Sequence, residues 1–183
     1  MEVRRVKSVS FRNVAALVLA AGLCVSMATA AGAQLRKGTK APEFRLKSVT
    51  GKMMSLTQIR KDPQRPGKNR VVVLDFWATY CEPCKMEFPI FQKLQRKYGK
   101  DGLVVVGIAC DREGMSLVAP FVKAKKLGYT VLVDPNMVAK SAYRVRFYPT
   151  TFIIDRSGII RAVHVGYTPE VGDQLEADVK SVL

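Results

Sequence analysis

Two cysteines three residues apart, in Cys81-Glu82-Pro83-Cys84, carry the clearest chemical potential in this sequence. At the start of a helix such a pair lies on one face, close enough to join as a disulfide. The first cysteine sits among the unpaired amides of the first turn, where those amides and the helix dipole stabilise a thiolate. The second, one turn further in and more buried, is placed to attack a mixed disulfide made by the first. This arrangement exchanges two electrons without a cofactor, and none is expected. Two other uses compete. A zinc site would need two further ligands, and the chain offers only Cys110 and one histidine, His164, in no paired spacing. An inert structural disulfide would close a four-residue loop, which stabilises little, whereas a short accessible bridge is easily reduced.

Neighbouring residues could tune the pair. Glu82 either disfavours a Cys81 thiolate by like charge, making the pair more reducing, or is a solvated acid that suits the helix start. Asp75 stands in an apolar run. Burial would raise its pKa and make it a proton acceptor for Cys84; otherwise it is a surface-facing acid at the end of a strand. Cys110 reads as a buried small residue or as a third thiol able to exchange. His164 reads as a structural strand residue.

The elements that must position these residues follow from periodicity. Val71–Leu74 is a continuous apolar run, as in a strand covered on both faces. A helix is expected from Cys81 to Tyr98, with Phe88, Phe91, Leu94 and Tyr98 at three- and four-residue spacing and Gly99 as its stop. Leu103–Ala109 reads as a second buried strand, Ser116–Leu127 as a helix stopped by Gly128, Tyr129–Val133 as a third strand and Asn136–Tyr143 as a helix. Thr150–Ile154 and Ile159–Val165 read as strands joined by a tight turn at Asp155–Gly158, and Thr168-Pro169 as the N-cap and first-turn proline of a last helix. Upstream, Phe44 to Leu56 reads as a short hairpin turning at Thr50-Gly51-Lys52, followed by a brief helix from Ser55. The alternation predicts an α/β domain: a mixed central sheet with helices on both faces. The residues just after Leu74 and just after Ala109 should share the rim where such sheets carry their sites.

The chain has 183 residues, 48% apolar and 25% charged, which excludes a disordered or collagen-like chain and a multi-span membrane protein. Residues 1–33 read as an export signal: Arg4, Arg5, Lys7 and Arg12, then an uncharged stretch from Val14 to Ala33 ending in Ala31-Gly32-Ala33. Cleavage after Ala33 is the favoured reading and an uncleaved membrane anchor the rival. Cys24 adds a third, a lipid-modified cysteine, which Leu23 suits poorly. All three place residues 34–183 outside the cytoplasm, in the periplasm or a similar space, with a membrane tether in the second and third. The net charge is +15, and removal of four basic residues and one acidic residue with the signal leaves +12. That charge reads as a solvated basic surface, or as attraction to acidic proteins or anionic headgroups. No nucleic-acid-binding motif is present, so no nucleic acid is expected as a partner.

The segment Asp75-Phe76-Trp77-Ala78-Thr79-Tyr80-Cys81-Glu82-Pro83-Cys84-Lys85-Met86-Glu87-Phe88-Pro89 resembles the active-site segment of the thioredoxin superfamily, and is most similar to its TlpA/ResA-like group of exported thiol–disulfide oxidoreductases. Ala41-Pro42-Glu43-Phe44 with the Gly51 hairpin resembles that group's N-terminal extension, and Tyr148-Pro149-Thr150-Thr151-Phe152 its cis-proline segment. The resemblance covers residues 38–183. It implies a thioredoxin fold with an N-terminal hairpin extension and a helix–strand insertion between Cys84 and Pro149. It also implies residue roles. Cys81 becomes the exposed attacking thiol, Cys84 the resolving thiol and Pro149 a cis residue facing them. Tyr80, Pro83, Tyr148 and Thr150 line the surface met by a partner, with the Tyr148 backbone pairing with an extended substrate segment. Asp75 matches thioredoxins, where many of the TlpA/ResA-like group carry asparagine, and Tyr80 replaces their usual tryptophan. Phe76 and Trp77 read as packing, Pro89 as a helix-kinking proline. The implied activity is thiol–disulfide exchange with partner proteins, as a reductant serving apocytochrome c or metal-site cysteines and re-reduced by a membrane electron donor. Copper(I) delivery by the same two thiolates and a thiol peroxidase are the alternatives.

Overall fold

The computed structural model describes residues 34–183; residues 1–33, read above as an export signal, and Cys24 among them lie outside the described residues. In chain order the elements are β1 (Arg45–Ser48), β2 (Met53–Ser55), α1 (Leu56–Arg60), β3 (Val71–Trp77), α2 (Glu82–Tyr98), a 3-10 turn (Gly99–Asp101), β4 (Leu103–Ala109), α3 (Met115–Ala124), β5 (Thr130–Val133), α4 (Val138–Ala142), β6 (Thr150–Ile154), β7 (Ile160–Val165) and α5 (Val171–Val182). The seven strands form one sheet in the order β2-β1-β5-β4-β3-β6-β7. β3, β4 and β5 are mutually parallel, while β6 runs antiparallel to β3, β7 to β6, and β1 to β5. The hairpin of β1 and β2 thus extends the sheet beyond β5.

Every residue of β3 and of β4 is buried, as their unbroken apolar runs require when helices cover both faces. Side chains alternate. Val71, Val73 and Trp77 pack on one face with Phe88, Phe91 and Leu94 of α2, Val118 and Val122 of α3, and Leu175 of α5. Val72, Leu74 and Phe76 pack on the other with Leu56 and Ile59 of α1, Ala139 of α4 and Tyr143. Trp77 lies opposite Ala109 in the parallel register, so the loops after β3 and β4 do share a rim. The Cys110 N–H donates to the Trp77 carbonyl there at 2.9 Å.

Several helix boundaries differ from the sequence expectation, each for a local reason. Cys81 is the N-cap of α2 and not its first residue. α3 ends at Ala124, ahead of Gly128: Lys126 adopts a left-handed conformation, the Leu127 N–H returns to Val122 and the Lys126 N–H to Lys123. That closure satisfies the last carbonyls without a glycine. β5 begins at Thr130, one residue after Tyr129. α4 begins at Val138, after a left-handed Met137, because Asp134 reaches forward to accept from the amides of Val138 and Lys140. α5 begins at Val171; Thr168 and Pro169 lie in the preceding turn, where the Val171 N–H donates to the Thr168 carbonyl. β7 begins at Ile160, since Ile159 is engaged in a bridge to Lys40.

Candidate active site

The loop from Ala78 to Cys81 leaves the carboxyl end of β3 and turns directly into α2, with the Cys81 N–H donating to the Ala78 carbonyl. Asp111, buried at the end of β4, pins this loop: its carboxylate accepts from the Thr79 N–H at 3.0 and 3.1 Å and from the Thr79 hydroxyl at 2.5 Å. Pro83 sits in the first turn of α2, where a missing N–H costs nothing. Cys81 and Cys84 are joined, with an S–S distance of 2.02 Å and their Cα atoms 5.4 Å apart. The Cys84 N–H points at the Cys81 sulfur at 3.3 Å. An amide so directed stabilises a thiolate at Cys81 when the bridge is open.

Burial of the two sulfurs is asymmetric but less so than the sequence suggests. Cys84 is 0% exposed and Cys81 8%, so the first cysteine is buried rather than exposed. It joins the apolar cluster of Trp77, Ala78 and Phe88, against which Tyr148 also packs. The Tyr148–Pro149 peptide is cis, and it immediately precedes Thr150, which pairs with Phe76 near the end of β3. The register therefore brings Tyr148 and Pro149 to the rim that carries Cys81. Tyr80 and Pro83 are exposed there, Tyr148 is half-buried and Pro149 is buried. Thr150 is fully buried, and its hydroxyl donates to the Phe147 carbonyl at 2.7 Å, so its side chain holds the loop and does not face a visitor.

Glu82 is 79% exposed and forms an ion pair with Lys85 at 2.5 Å. Asp75 is the opposite case. It is fully buried on the α2 side of the sheet, one oxygen accepting from the Thr151 hydroxyl at 3.3 Å and the other without a partner. Burial pushes its pKa up to about 8, only partly opposed by the Thr151 bond.

The sequence reading did not single out Glu87 for chemistry. It lies in the buried stripe of α2, three residues after Cys84 and one before Phe88, and is 1% exposed. Burial, reinforced by the nearby Asp75 carboxyl, raises its pKa to about 9. One oxygen of Glu87, the Trp77 indole N–H and the Tyr129 hydroxyl are also buried without partners. Gly107, opposite Asp75 in the register, leaves room for these rings. A Cβ there would meet the Trp77 Nε1 at 2.7 Å and the Tyr129 Cε2 at 3.2 Å. The available signal was positional: an acid three residues from Cys84 and four from Phe91 falls on the apolar face of the helix.

The remaining sequence candidates resolve simply. Cys110 is free and buried, its Sγ 3.7 Å from the Ile108 carbonyl oxygen, with burial raising its pKa to about 12. A thiol held neutral in this way does not compete as a nucleophile. His164 on β7 contacts Asp178 of α5 at 2.8 Å. Phe76 packs against Tyr143 and Phe152, and Trp77 stands edge-on to Phe88. Pro89 lies inside α2.

Comparison with known proteins agrees with this geometry. Residues 37–163 match the AhpC/TSA family. The chain is 35% identical over 133 residues to the thioredoxin-like protein YneN of Bacillus subtilis, covering 72% of this chain and 73% of that protein. It is 31% identical over 155 residues to the thiol-disulfide oxidoreductase ResA of the same organism, covering 84% and 82%. Among solved structures, a protein of Chlorobium tepidum assigned as the thiol:disulfide interchange protein DsbE superposes with a TM-score of 0.72 at 34% identity, covering 81% of this chain and 98% of that one. The chain belongs to the AhpC/TSA family, and it is a thiol–disulfide oxidoreductase of thioredoxin fold.

Proposed function

We propose that this oxidoreductase is exported, residues 1–33 acting as a cleaved signal or an uncleaved anchor, and that it works as a reductant of disulfides in partner proteins such as apocytochrome c or a metal-site cysteine pair. In the reductive direction the Cys81 thiolate attacks one sulfur of the partner's disulfide, and the other partner sulfur leaves as a thiolate. Cys84 then loses its proton, attacks the Cys81 sulfur, and releases the partner's second thiolate. Two electrons pass from the dithiol to the partner, and the two protons that leave Cys81 and Cys84 balance those taken up by the partner's thiolates. A donor in the membrane returns the electrons by reducing the Cys81–Cys84 bridge.

The observation that carries this reading is the disulfide at the mouth of α2 with two buried, proton-holding carboxyl groups on the same side of the sheet. Asp75 in its ionised form takes the Cys84 proton, and in its protonated form returns it when the bridge is reduced. The Asp75 carboxylate, once ionised, holds back ionisation of Glu87 by like charge, so Glu87 keeps its proton. When Asp75 ionises as pH rises toward 8, its negative charge behind the pair disfavours a thiolate at Cys84, which suits a reductant. Tyr148 supports partner pairing, since neither its N–H nor its carbonyl bonds to another backbone group among the described residues.

Trapping tests the assignment. A Cys84→Ala variant expressed in its own host should accumulate a partner protein disulfide-linked to Cys81. A dithiol of strongly oxidising potential, or one unable to reduce a protein disulfide, would sink the reductant reading.

A further inference from the structure

Seven buried side-chain nitrogen and oxygen atoms among the described residues have no hydrogen-bond partner, and four of them belong to one layer: Asp75 Oδ2, Trp77 Nε1, Glu87 Oε2 and the Tyr129 hydroxyl oxygen. The exchange reaction uses the carboxyls and leaves the indole and the phenol without a task. Trp77 is 0% exposed and Tyr129 9%. Each unpartnered buried polar group costs stability, so four in one layer call for a compensating use.

The sheet brings them together. Gly107 of β4 lies opposite Asp75, and its bare Cα is the floor on which both rings rest: Trp77 Nε1 and Tyr129 Cε2 lie 2.7 and 3.2 Å from where a Cβ would stand. Cε2 is bonded to the carbon that bears the hydroxyl. Phe91 of α2, four residues on from Glu87, stands edge-on to the Tyr129 ring with centroids 6.1 Å apart and fixes its place. Burial, then the Asp75 and Glu87 carboxylates, hold the Tyr129 pKa well above the ordinary range, so the phenol keeps its proton.

The surroundings of Asp75 offer no cation. Thr151 of β6 donates to one of its oxygens, and Cys84 and Glu87 share its layer from α2. Tyr98, further along α2, is bonded to Glu176. His164 of β7 stands beyond Thr151 and is engaged by Asp178 of α5. α3 and α5 bury only apolar side chains in this layer, and Cys110, across the sheet, is held neutral. No lysine or arginine is buried among the described residues. A carboxylate formed here must therefore be met by hydrogen-bond donors. The indole N–H can only donate, whereas a phenol donates to an ionised acid and accepts from a protonated one.

We infer that the Tyr129 hydroxyl is a positioning group for proton transfer at Cys84, donating to the Asp75 carboxylate and so holding that base ionised and in place. In the step it serves, the Cys84 proton passes to Asp75 and the Cys84 sulfur bonds to the Cys81 sulfur. The bond from Cys81 to the partner breaks, and its electron pair leaves on the partner sulfur. Tyr129 itself neither gains nor loses a proton. This inference rests on the reading that Cys81 and Cys84 exchange with protein disulfides, and adds a residue that tunes their proton acceptor.

The test follows resolution of the mixed disulfide against pH. Reduced protein is mixed with an excess of a synthetic peptide holding one internal disulfide, and release of the reduced peptide is read by stopped flow. In the unaltered protein the rate should rise through the ionisation of Asp75. In Tyr129→Phe the same rise should sit about one pH unit higher, because a hydrogen bond to a charged group is worth about that much. At neutral pH the rate then falls by about tenfold, while the alkaline plateaus agree within about twofold. A rate lowered evenly across the range, an unmoved inflection or a downward shift would overturn the inference, since a merely structural tyrosine gives one of these. A second readout needs no variant. With aspartate carboxyl and tyrosine Cζ carbons isotope-labelled, magnetic resonance should show one aspartate titrating near pH 8 and one tyrosine moving with the same inflection. No tyrosine following that aspartate would also overturn it. Reaction with the neutral hydroxyethyl disulfide separates the two levels. Failure there removes the exchange reading itself, while exchange with an unmoved inflection removes only the role of Tyr129.

Discussion

The two layers that sandwich the sheet are both apolar, yet they treat buried polarity in opposite ways. On the side of α1 and α4, Phe76, Tyr143 and Phe152 form an aromatic cluster with ring centroids 5.1 to 5.8 Å apart, and the Tyr143 hydroxyl donates to the Pro42 carbonyl at 2.9 Å. On the side of α2 and α5, Asp75 and Glu87 are buried with an oxygen each unpartnered. Burying an unpaired carboxyl is costly, and the group avoids ionisation by keeping its proton. One layer thus serves stability, while the layer behind the disulfide accepts a thermodynamic penalty to keep protons within the sheet beneath Cys84. Cysteine placement follows the same division: Cys84 lies in the carboxyl-bearing layer, and Cys110 in the aromatic one.

The largest expected effect separates those two thiols. Cys84→Ser should abolish turnover with protein disulfides, since the mixed disulfide on Cys81 then has no resolving partner. Cys110→Ser should leave turnover within about twofold, because a buried neutral thiol is not a nucleophile. Steady-state reduction of a protein disulfide measures both; a large loss in the Cys110 variant would break the division between the layers.

Next comes a test of the aromatic layer. Phe152→Ala removes a fully buried ring that touches both Phe76 and Tyr143. Denaturant unfolding should show a loss of about 3–5 kcal/mol. The pH dependence of that stability should match the unaltered protein's, because no titrating group is removed.

Asp75→Asn should do the reverse on the other side of the sheet. Burial raises the folded-state pKa of Asp75 to about 8 from its ordinary value of 3.8. Below the lower value both folded and unfolded chains hold the proton and no penalty applies. Between the two values the unfolded chain releases the proton and the folded one keeps it, so stability falls as pH rises. Asn removes that slope. At pH 7 the variant should be more stable by about 2 kcal/mol, less than the full linkage because an amide is still buried. Resolution of the mixed disulfide should also lose its acceleration toward pH 8. Unfolding curves from pH 4 to pH 8 check the first effect and stopped-flow rates the second; an unchanged slope in the variant would remove Asp75 as the titrating group.

Much of this contrast was legible before any coordinates. The apolar runs of β3 and β4 foretold strands covered twice, and the alternation of elements foretold the rim where Cys81 and Cys110 both lie. Asp75 stood out because an acid within Val71–Trp77 interrupts an otherwise apolar strand. Glu87 did not, because acids are ordinary in helices and only the helix phase against β3 decides which face is buried. Thr150 looked like a contact residue because it follows the cis proline, and its hydroxyl turned inward to the Phe147 carbonyl, a choice set by rotamer and loop geometry. The helix ends moved because left-handed Lys126 and Met137 did what glycine does elsewhere. Non-glycine residues in that conformation carry no reliable sequence mark.

The smallest effect is expected at Glu82, which separates proximity in sequence from coupling through a protein interior. Glu82 stands between the cysteines, but its carboxylate is in water and neutralised by Lys85. Asp75 is six residues from Cys81, yet lies in the dry layer where charge interactions are strong. Solvent screening leaves an exposed, paired carboxylate little influence on the Cys81 sulfur. Glu82→Gln should therefore change the rate of Cys81 alkylation in the reduced protein by less than about threefold at moderate salt. The change should shrink further as salt increases. A tenfold acceleration that survived high salt would mean that Glu82 acts on Cys81 through a desolvated path, and control of the thiolate would then have to be shared between the exposed end of α2 and the buried layer beneath it.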